Sequence, residues 1–479
     1  MDQRFRLVRP FSKACGPDFF ALGLVCIISS YALGLEDWPV LGFFAISGIL
    51  IASYRVRQMT RNKPDEILNN VFFTFILAFS IFFLFGPLVQ VFGHQEEIEH
   101  SRNFFSITAD SAVMVLGTNL IGFGISLMIG GSLHFGSFVN SAIKNFSRLP
   151  AFNARRISVW LVVVGLAFKS YVLYNDLYVY ETISGLYRSA QLLMPVGVFL
   201  YFKGNELALK PKVVFFLCAS LLYSAGGLLE FNKSEIFVPL LALVGGMLVR
   251  NMTLTRLAVA IAGFGVVLAI LQPINSDARN EAFKRLNLTL EERISIYQGA
   301  YRGEFIISEL EHVGIWSRLD YTSPDAAAMW LYENGNGGDS YQLIPWAFVP
   351  RFLYPDKPEM TTAGSKLTEK VLGFNTSSTG LGVFISGYYD LGWFGLIGAS
   401  ALVGFILAWY RAIIVAAQHS QSITLLIIGL LGHWTAFLVS GDYLASYLGS
   451  SLTSLYLVLI ILTFLRVQRS PINVRGHVR

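Results

Sequence analysis

Apolar residues along this chain come in blocks about as long as a bilayer is thick, separated by short polar connections. The blocks predict membrane-spanning helices over Phe19–Leu35, Trp38–Tyr54, Leu68–Phe92, Thr108–Gly130, Ile157–Tyr174, Ala190–Phe202, Val213–Leu229, Ile236–Val249, Leu257–Pro273, Gly392–Tyr410, Ser422–Val439 and Gly449–Leu465. Apolar character is sustained within each block, which argues against a β-barrel, whose strands alternate lipid-facing and lumen-facing residues. The expected fold is an all-α polytopic membrane protein of about twelve transmembrane helices. Ala190–Phe202 is the shortest block and would have to be tilted, re-entrant or extended upstream to cross.

Composition agrees with the pattern. Of 479 residues, 54% are hydrophobic and 14% charged, with a mean hydropathy of +0.55. A soluble protein is roughly a quarter charged, so this chain has too few charges to cover a water-exposed globule. Cytosolic, disordered and collagen-like classes are excluded. The apolar run after Phe19 has no small-residue cleavage pattern and further blocks follow it. It is expected to stay as the first span rather than act as a cleavable signal. Cys15, Cys26 and Cys218 show neither a metal-ligand nor a redox spacing.

Basic residues set the expected orientation. One set of connections carries Arg4, Arg6, Arg9 and Lys13, then Arg55, Arg57, Arg61 and Lys63, then Lys144, Arg148, Arg155 and Arg156. It continues through Lys203, Lys210 and Lys212 to Arg250, Arg256, Arg411 and the basic tail after Arg466. The short connections of the opposite set hold Arg102, Arg188 and Lys233 alone among cations, beside Glu36, Asp37, Glu96, Glu97 and Glu99. Cytoplasmic connections are the basic ones, so both termini are expected in the cytoplasm. The formal charge of +5 is spread along this topology, and no nucleic-acid partner is expected.

Three regions follow: transmembrane helices over 1–273, a long periplasmic connection over 274–387, and a last group of helices with a cytoplasmic tail over 388–479. A connection that long is usually a binding element or a lid. Its first part, Asp277–Glu311, repeats Phe283, Leu286, Leu290, Ile294 and Tyr297 at helical spacing, so it is expected to be helical. Glu291, Glu292 and Arg293 there form either a solvated face or the polar side of a helix lying on the membrane. Asn334–Gly338 lacks the context of a phosphate cradle and suggests a flexible hinge over a cleft. The stretch Tyr341–Pro358 holds Pro345, Pro350, Pro355 and Pro358, which remove backbone donors and bar a long helix. It should be a stiff segment presenting Arg351, Asp356 and Lys357 among Trp346, Phe348, Phe352 and Tyr354. Two readings stand: a site for an anionic, carbohydrate-bearing ligand, or a structural plug packed on the bundle.

The run Ile344-Pro-Trp-Ala-Phe-Val-Pro-Arg-Phe-Leu-Tyr-Pro-Asp-Lys-Pro358, with Ser377-Ser-Thr-Gly380 and Gly387-Tyr-Tyr-Asp-Leu-Gly-Trp-Phe-Gly395, resembles the bacterial O-antigen and exopolysaccharide repeat-unit polymerases, the Wzy-type family. The specific likeness covers about residues 340–396; elsewhere it is one of topology. It implies an enzyme, a glycosyltransferase of the bacterial inner membrane that joins oligosaccharide units carried on undecaprenyl pyrophosphate at the periplasmic face, among membrane lipid. A chain-length regulator is an implied partner. A paired Arg-x10-Gly pattern described for some members is not evident here. O-antigen ligase and a transporter or flippase of lipid-linked glycans are the alternatives.

Such a reaction needs fixed cations where the leaving pyrophosphate gains charge and a base within reach of the acceptor hydroxyl. Arg351 and Lys357 are the candidate cations, and Arg279 and Arg285 are candidates at headgroup level. Asp356 is the candidate base, with Asp390, Asp442 and His312 as alternatives, and Asp356 could equally pair with Lys357. Trp346, Tyr354, Tyr388 and Asp390 are candidate substrate contacts. No Asp-x-Asp and no HExxH occurs, so neither a metal nor a cofactor is expected. Three further readings concern charges near the spans: Lys169 as a snorkelling lysine, Glu230, Lys233 and Glu235 as a hydrated rim, and His433 as an interhelical hydrogen-bond partner or channel residue.

Overall fold

The computed structural model describes residues 11–33, 37–62, 70–93, 98–99, 102, 105–137, 139–140, 154–175, 190–203, 211–231, 233–248, 254–283, 288–304, 321–349, 353–354, 356–358, 360, 362–373, 380–420, 422–439 and 443–452. Among these the secondary structure is helical, without a strand. In chain order the elements are α1 (Phe11–Leu33), α2 (Trp38–Asn62), α3 (Val71–Phe79), α4 (Phe85–Phe92), α5 (Ala109–Ser132), α6 (Ala154–Asn175), α7 (Leu193–Lys203) and α8 (Pro211–Leu229). There follow α9 (Lys233–Leu248), α10 (Leu254–Phe283), α11 (Leu290–Arg302), α12 (Thr322–Glu333), α13 (Ile344–Ala347), α14 (Thr362–Leu372), α15 (Val383–Ser420) and α16 (Ile423–Phe437). Seven helical stretches are long and apolar enough to cross a membrane: Cys15–Ala32, Trp38–Gln58, Val71–Phe92, Ala109–Ser132, Arg156–Tyr174, Pro211–Leu229 and Val383–Ser420. Leu193–Phe202, Glu235–Met247 and Leu425–Phe437 are shorter apolar helices. Helices suit this setting because each satisfies its own backbone groups where no water can.

The expected third span is one helix with a defect. A π-helical turn, Ser80–Leu84, joins α3 to α4. Pro87 lies in the first turn of α4, and a proline ring collides with the carbonyl four residues back, here Phe83. The extra residue of a π turn relieves that collision without ending the helix.

The larger core forms around α5, whose start is closed by a reciprocal cap between Thr108 and Ser111. Along α1 and α5, Gly16 meets Gly124 and Gly23 meets Gly117. A Cβ at Gly16 or Gly23 would stand 2.8 or 2.7 Å from the facing carbonyl oxygen. Small residues let helices approach closely where the hydrophobic effect between them is weak. Phe123 of α5 stacks on Phe79 of α3 and stands edge-on to Phe19 of α1. Ser126 Oγ bonds the Ser400 carbonyl of α15 at 2.9 Å. His433 Nδ1 pairs with Thr74 Oγ1 at 2.6 Å, so it links α16 to α3, which agrees with the interhelical reading.

A second core joins α6, α7, α8 and α9 through Val162, Met194, Val198, Phe202, Phe216 and Tyr223. A third, small one joins α10 to α11 through Ala278, Ala282, Ile296 and Ala300. The expected helix over Asp277–Glu311 is in fact two. α10 continues past Pro273 to Phe283, and α11 starts afresh at Leu290 with a capping box between Thr289 and Glu292. Glu292 therefore acts as a cap, and Arg293 donates to the carbonyls of Leu288 and Leu229.

Candidate functional site

The unexpected element is α12. From Thr322 to Met329 every residue is buried, against α5 and α15. Its sequence, Thr-Ser-Pro-Asp-Ala-Ala-Ala-Met, is small enough to sit close to neighbouring helices. It is anchored by its own polar groups. The Asp325 carboxylate, fully buried, accepts from Asn119 Nδ2 of α5 and from the Gly382 backbone N–H, each at 3.1 Å. Ser323 Oγ accepts from Gln90 Nε2 at 3.1 Å. Arg102 in turn donates to the Gln90 side chain at 3.0 Å and lies 3.7 Å over the Trp38 ring. The connections after α1, after α4 and before α15 therefore converge on one end of the bundle.

Beyond α12 the chain is bound to the start of α15. Gly338 N–H donates to the Tyr389 carbonyl at 2.8 Å, and Asp390 accepts from both the backbone N–H and the hydroxyl of Ser340. A Cβ on Gly338 would lie 2.3 Å from Asp390 Oδ1. Lys370 of α14 holds the carbonyls of Asn336 and Gly337, and Lys366 pairs with Asp339. Gly337 and Gly338 thus serve close approach rather than the hinge the sequence suggested, while Gly335 takes a left-handed φ of 77° with open space around it. Asp390, expected to touch substrate, is buried and used to hold Ser340. Burial pushes the Tyr443 phenol well above its ordinary range, and nearby Tyr389, Asp325 and Asp390 add to the effect.

α15 breaks where this strip arrives. Leu391 and Gly392 leave helical geometry, Gly392 at φ 61° and ψ −143°, and the Tyr332 phenol occupies the space a Cβ there would fill. Tyr388 precedes the break and is 5% exposed, with its hydroxyl donating to Glu333 Oε1 at 3.3 Å. Trp393 and Phe394 follow it, 41% and 87% exposed.

Among its described residues the proline-rich stretch contains a 3-10 turn, Ser340–Leu343, and the single turn α13, with no long helix. Trp346 packs on Tyr354 with ring centroids 5.2 Å apart, and Lys357 Nζ donates to the Val349 carbonyl at 3.0 Å. These two contacts hold together the residues on either side of Arg351. Arg351 and Arg285 themselves, like His312 and Asp442, lie outside the described residues. Asp356 is exposed. Arg279 is on α10, whose packing partners are α9 and α11. Glu333, Tyr332 and Trp393 were not singled out from sequence. The signal that could have found them is the aromatic and acidic end of α12 facing the Gly387–Gly395 motif.

Lys169 corrects a further expectation. Its ammonium is buried and pairs with both Glu230 and Glu235, with side chains 3% and 2% exposed for Lys169 and Glu230. It does not snorkel, and the two glutamates are no hydrated rim. Burial, with Glu235 adding, pushes Glu230 up to about 8 against the pull of Lys169.

Among the described residues no group of three or more His, Cys, Asp or Glu side chains could hold a metal ion. What the end of the bundle offers is exposed aromatic faces, lysines and carboxylates on a scaffold fixed by buried carboxylates. No protein-family model matches this chain, and no curated protein or solved structure matches it.

Proposed function

We propose that this chain is a glycosyltransferase of the inner membrane that polymerises repeat units linked to undecaprenyl pyrophosphate. In this reading it crosses the membrane twelve times, both termini lie in the cytoplasm, and residues 274–387 belong to the periplasmic side. The observation that carries the reading is the burial of α12. It turns part of a long connection into scaffold and leaves the following aromatic, cationic segment at the end of the bundle. A transporter would instead concentrate polar groups and broken helices at its midplane. The contacts of Arg102 with Trp38 and of Gln90 with Ser323 support the reading, because they join connections that strict alternation assigns to one side.

In the reaction, an acceptor hydroxyl on one lipid-linked unit attacks the anomeric carbon of the growing glycan. The bond from that carbon to the pyrophosphate oxygen breaks as the new glycosidic bond forms, and undecaprenyl pyrophosphate departs with the electron pair. Arg351 and Lys357 stabilise the departing charge, and Asp356 takes the hydroxyl proton. Arg285 and Arg279 serve at headgroup level. Trp346 and Tyr354 flank the sugar.

Arg351→Ala tests this in cells that make the polysaccharide. Single repeat units should remain attached to their acceptor while long chains vanish. Long chains of normal length and amount would remove Arg351 from the site.

A further inference from the structure

We propose that Glu333, Tyr388 and Trp393 form a binding subsite for one pyranose ring, positioned by Tyr332. The proposal rests on the glycan-polymerising reading and adds residues to it.

Tyr388 touches both of the others, Glu333 through its hydroxyl and Trp393 through its ring, because two breaks in helix coincide. α12 ends at Glu333, and α15 is interrupted at Leu391–Gly392, between Tyr388 and Trp393. Tyr388 stands edge-on to Tyr332, with centroids 5.3 Å apart and an interplanar angle of 66°. It stands edge-on also to Trp393, at 5.5 Å and 84°. Tyr332 is wedged against Gly392, so the partly buried Tyr332 and the buried Tyr388 form a fixed wall behind the exposed indole. Glu333 is exposed, and the described group that donates to it is the Tyr388 hydroxyl, on Oε1.

A pyranose presents a flat face of C–H bonds and a rim of hydroxyl donors. An exposed indole matches the first by stacking and a carboxylate beside it matches the second. A tryptophan serving only as an interfacial anchor would need neither the carboxylate nor the edge-on tyrosine behind it. A cage for an organic cation would require ring faces turned toward one point, whereas these rings meet edge to face.

The test uses the purified full chain in detergent. The probe is the free oligosaccharide repeat unit released by mild acid from the lipid-linked pool of the polysaccharide-producing cells. Its binding is measured calorimetrically, and turnover is measured with the intact lipid-linked unit. Trp393→Ala should weaken saccharide binding and raise KM about tenfold with kcat little changed, and Trp393→Phe should restore most of both. Glu333→Gln, which keeps the shape, should also weaken binding. The subsite is overturned if the wild-type chain does not bind the saccharide. It is equally overturned if Trp393→Ala binds as tightly as wild type, or if Phe restores nothing. A chain that binds the saccharide through Trp393 yet makes no polymer keeps the subsite and refutes the polymerase reading. A chain that polymerises with Trp393→Ala unchanged does the reverse.

Discussion

Asn119, midway along α5, donates its side-chain amide to the carboxylate of Asp325, 206 residues later, inside the protein. This bond joins a membrane helix to a segment that length and polarity alone would leave outside the bundle. With the Gly382 N–H on the other carboxylate oxygen, Asp325 ties α5, α12 and the start of α15 together.

Removing that carboxylate should loosen the whole end of the bundle. Asp325→Ala strands two buried donors, each worth roughly 1–3 kcal/mol when unsatisfied. Thermal unfolding followed by size-exclusion chromatography in detergent should show a marked drop in midpoint. Asp325→Asn should lose less, because the Asn119 amide can turn and present Oδ1, an atom with no other described partner.

The Lys169 cluster gives a pH dependence of known sign. Glu230 is raised from an ordinary 4.5 to about 8 in the folded chain, so the folded state holds a proton that the unfolded state releases. Its contribution to stability is complete below about 4.5 and is lost as pH rises through about 8. Melting curves between pH 5 and 9 should fall with pH in wild type and flatten in Glu230→Gln. Lys169→Met removes the buried cation between Glu230 and Glu235 and should cost about 3–5 kcal/mol, the usual penalty for breaking a buried pair from one side.

Gly392 is a position where a side chain is excluded twice. Its φ of 61° lies in the left-handed region, and a Cβ would stand 2.4 Å from the Tyr332 hydroxyl oxygen. Gly392→Ala should cost about 1–3 kcal/mol in backbone strain alone. It should also displace Tyr332, lowering both the melting point and polymer yield. Gly398→Ala, six residues on with open space around it, should leave both unchanged.

The membrane helices were legible because their signal is additive: twenty apolar residues in a row leave little choice of environment. Trp38, Phe92 and Tyr174 mark ends in the sequence pattern and in the spans alike. What escaped were interactions between distant residues. Thr322–Met329 reads as polar because its burial depends on partners at Gln90 and Asn119, and small residues carry little hydropathy. Lys169 looked like a lone cation near a span end because Glu230 and Glu235 lie 61 and 66 residues away. The glycines at 337 and 338 looked like freedom because Tyr389 and Asp390, which they pack against, are invisible in the local sequence. The proline-rich stretch, whose prolines act locally, shows no long helix among its described residues, as expected.

The central claim is best tested with the purified chain in liposomes, given undecaprenyl-pyrophosphate-linked repeat units as the sole substrate and no nucleotide sugar. The account predicts a ladder of lengthening glycans that persists in EDTA, with one undecaprenyl pyrophosphate released for each linkage made. Units that stay single, or that merely change leaflet, would contradict it.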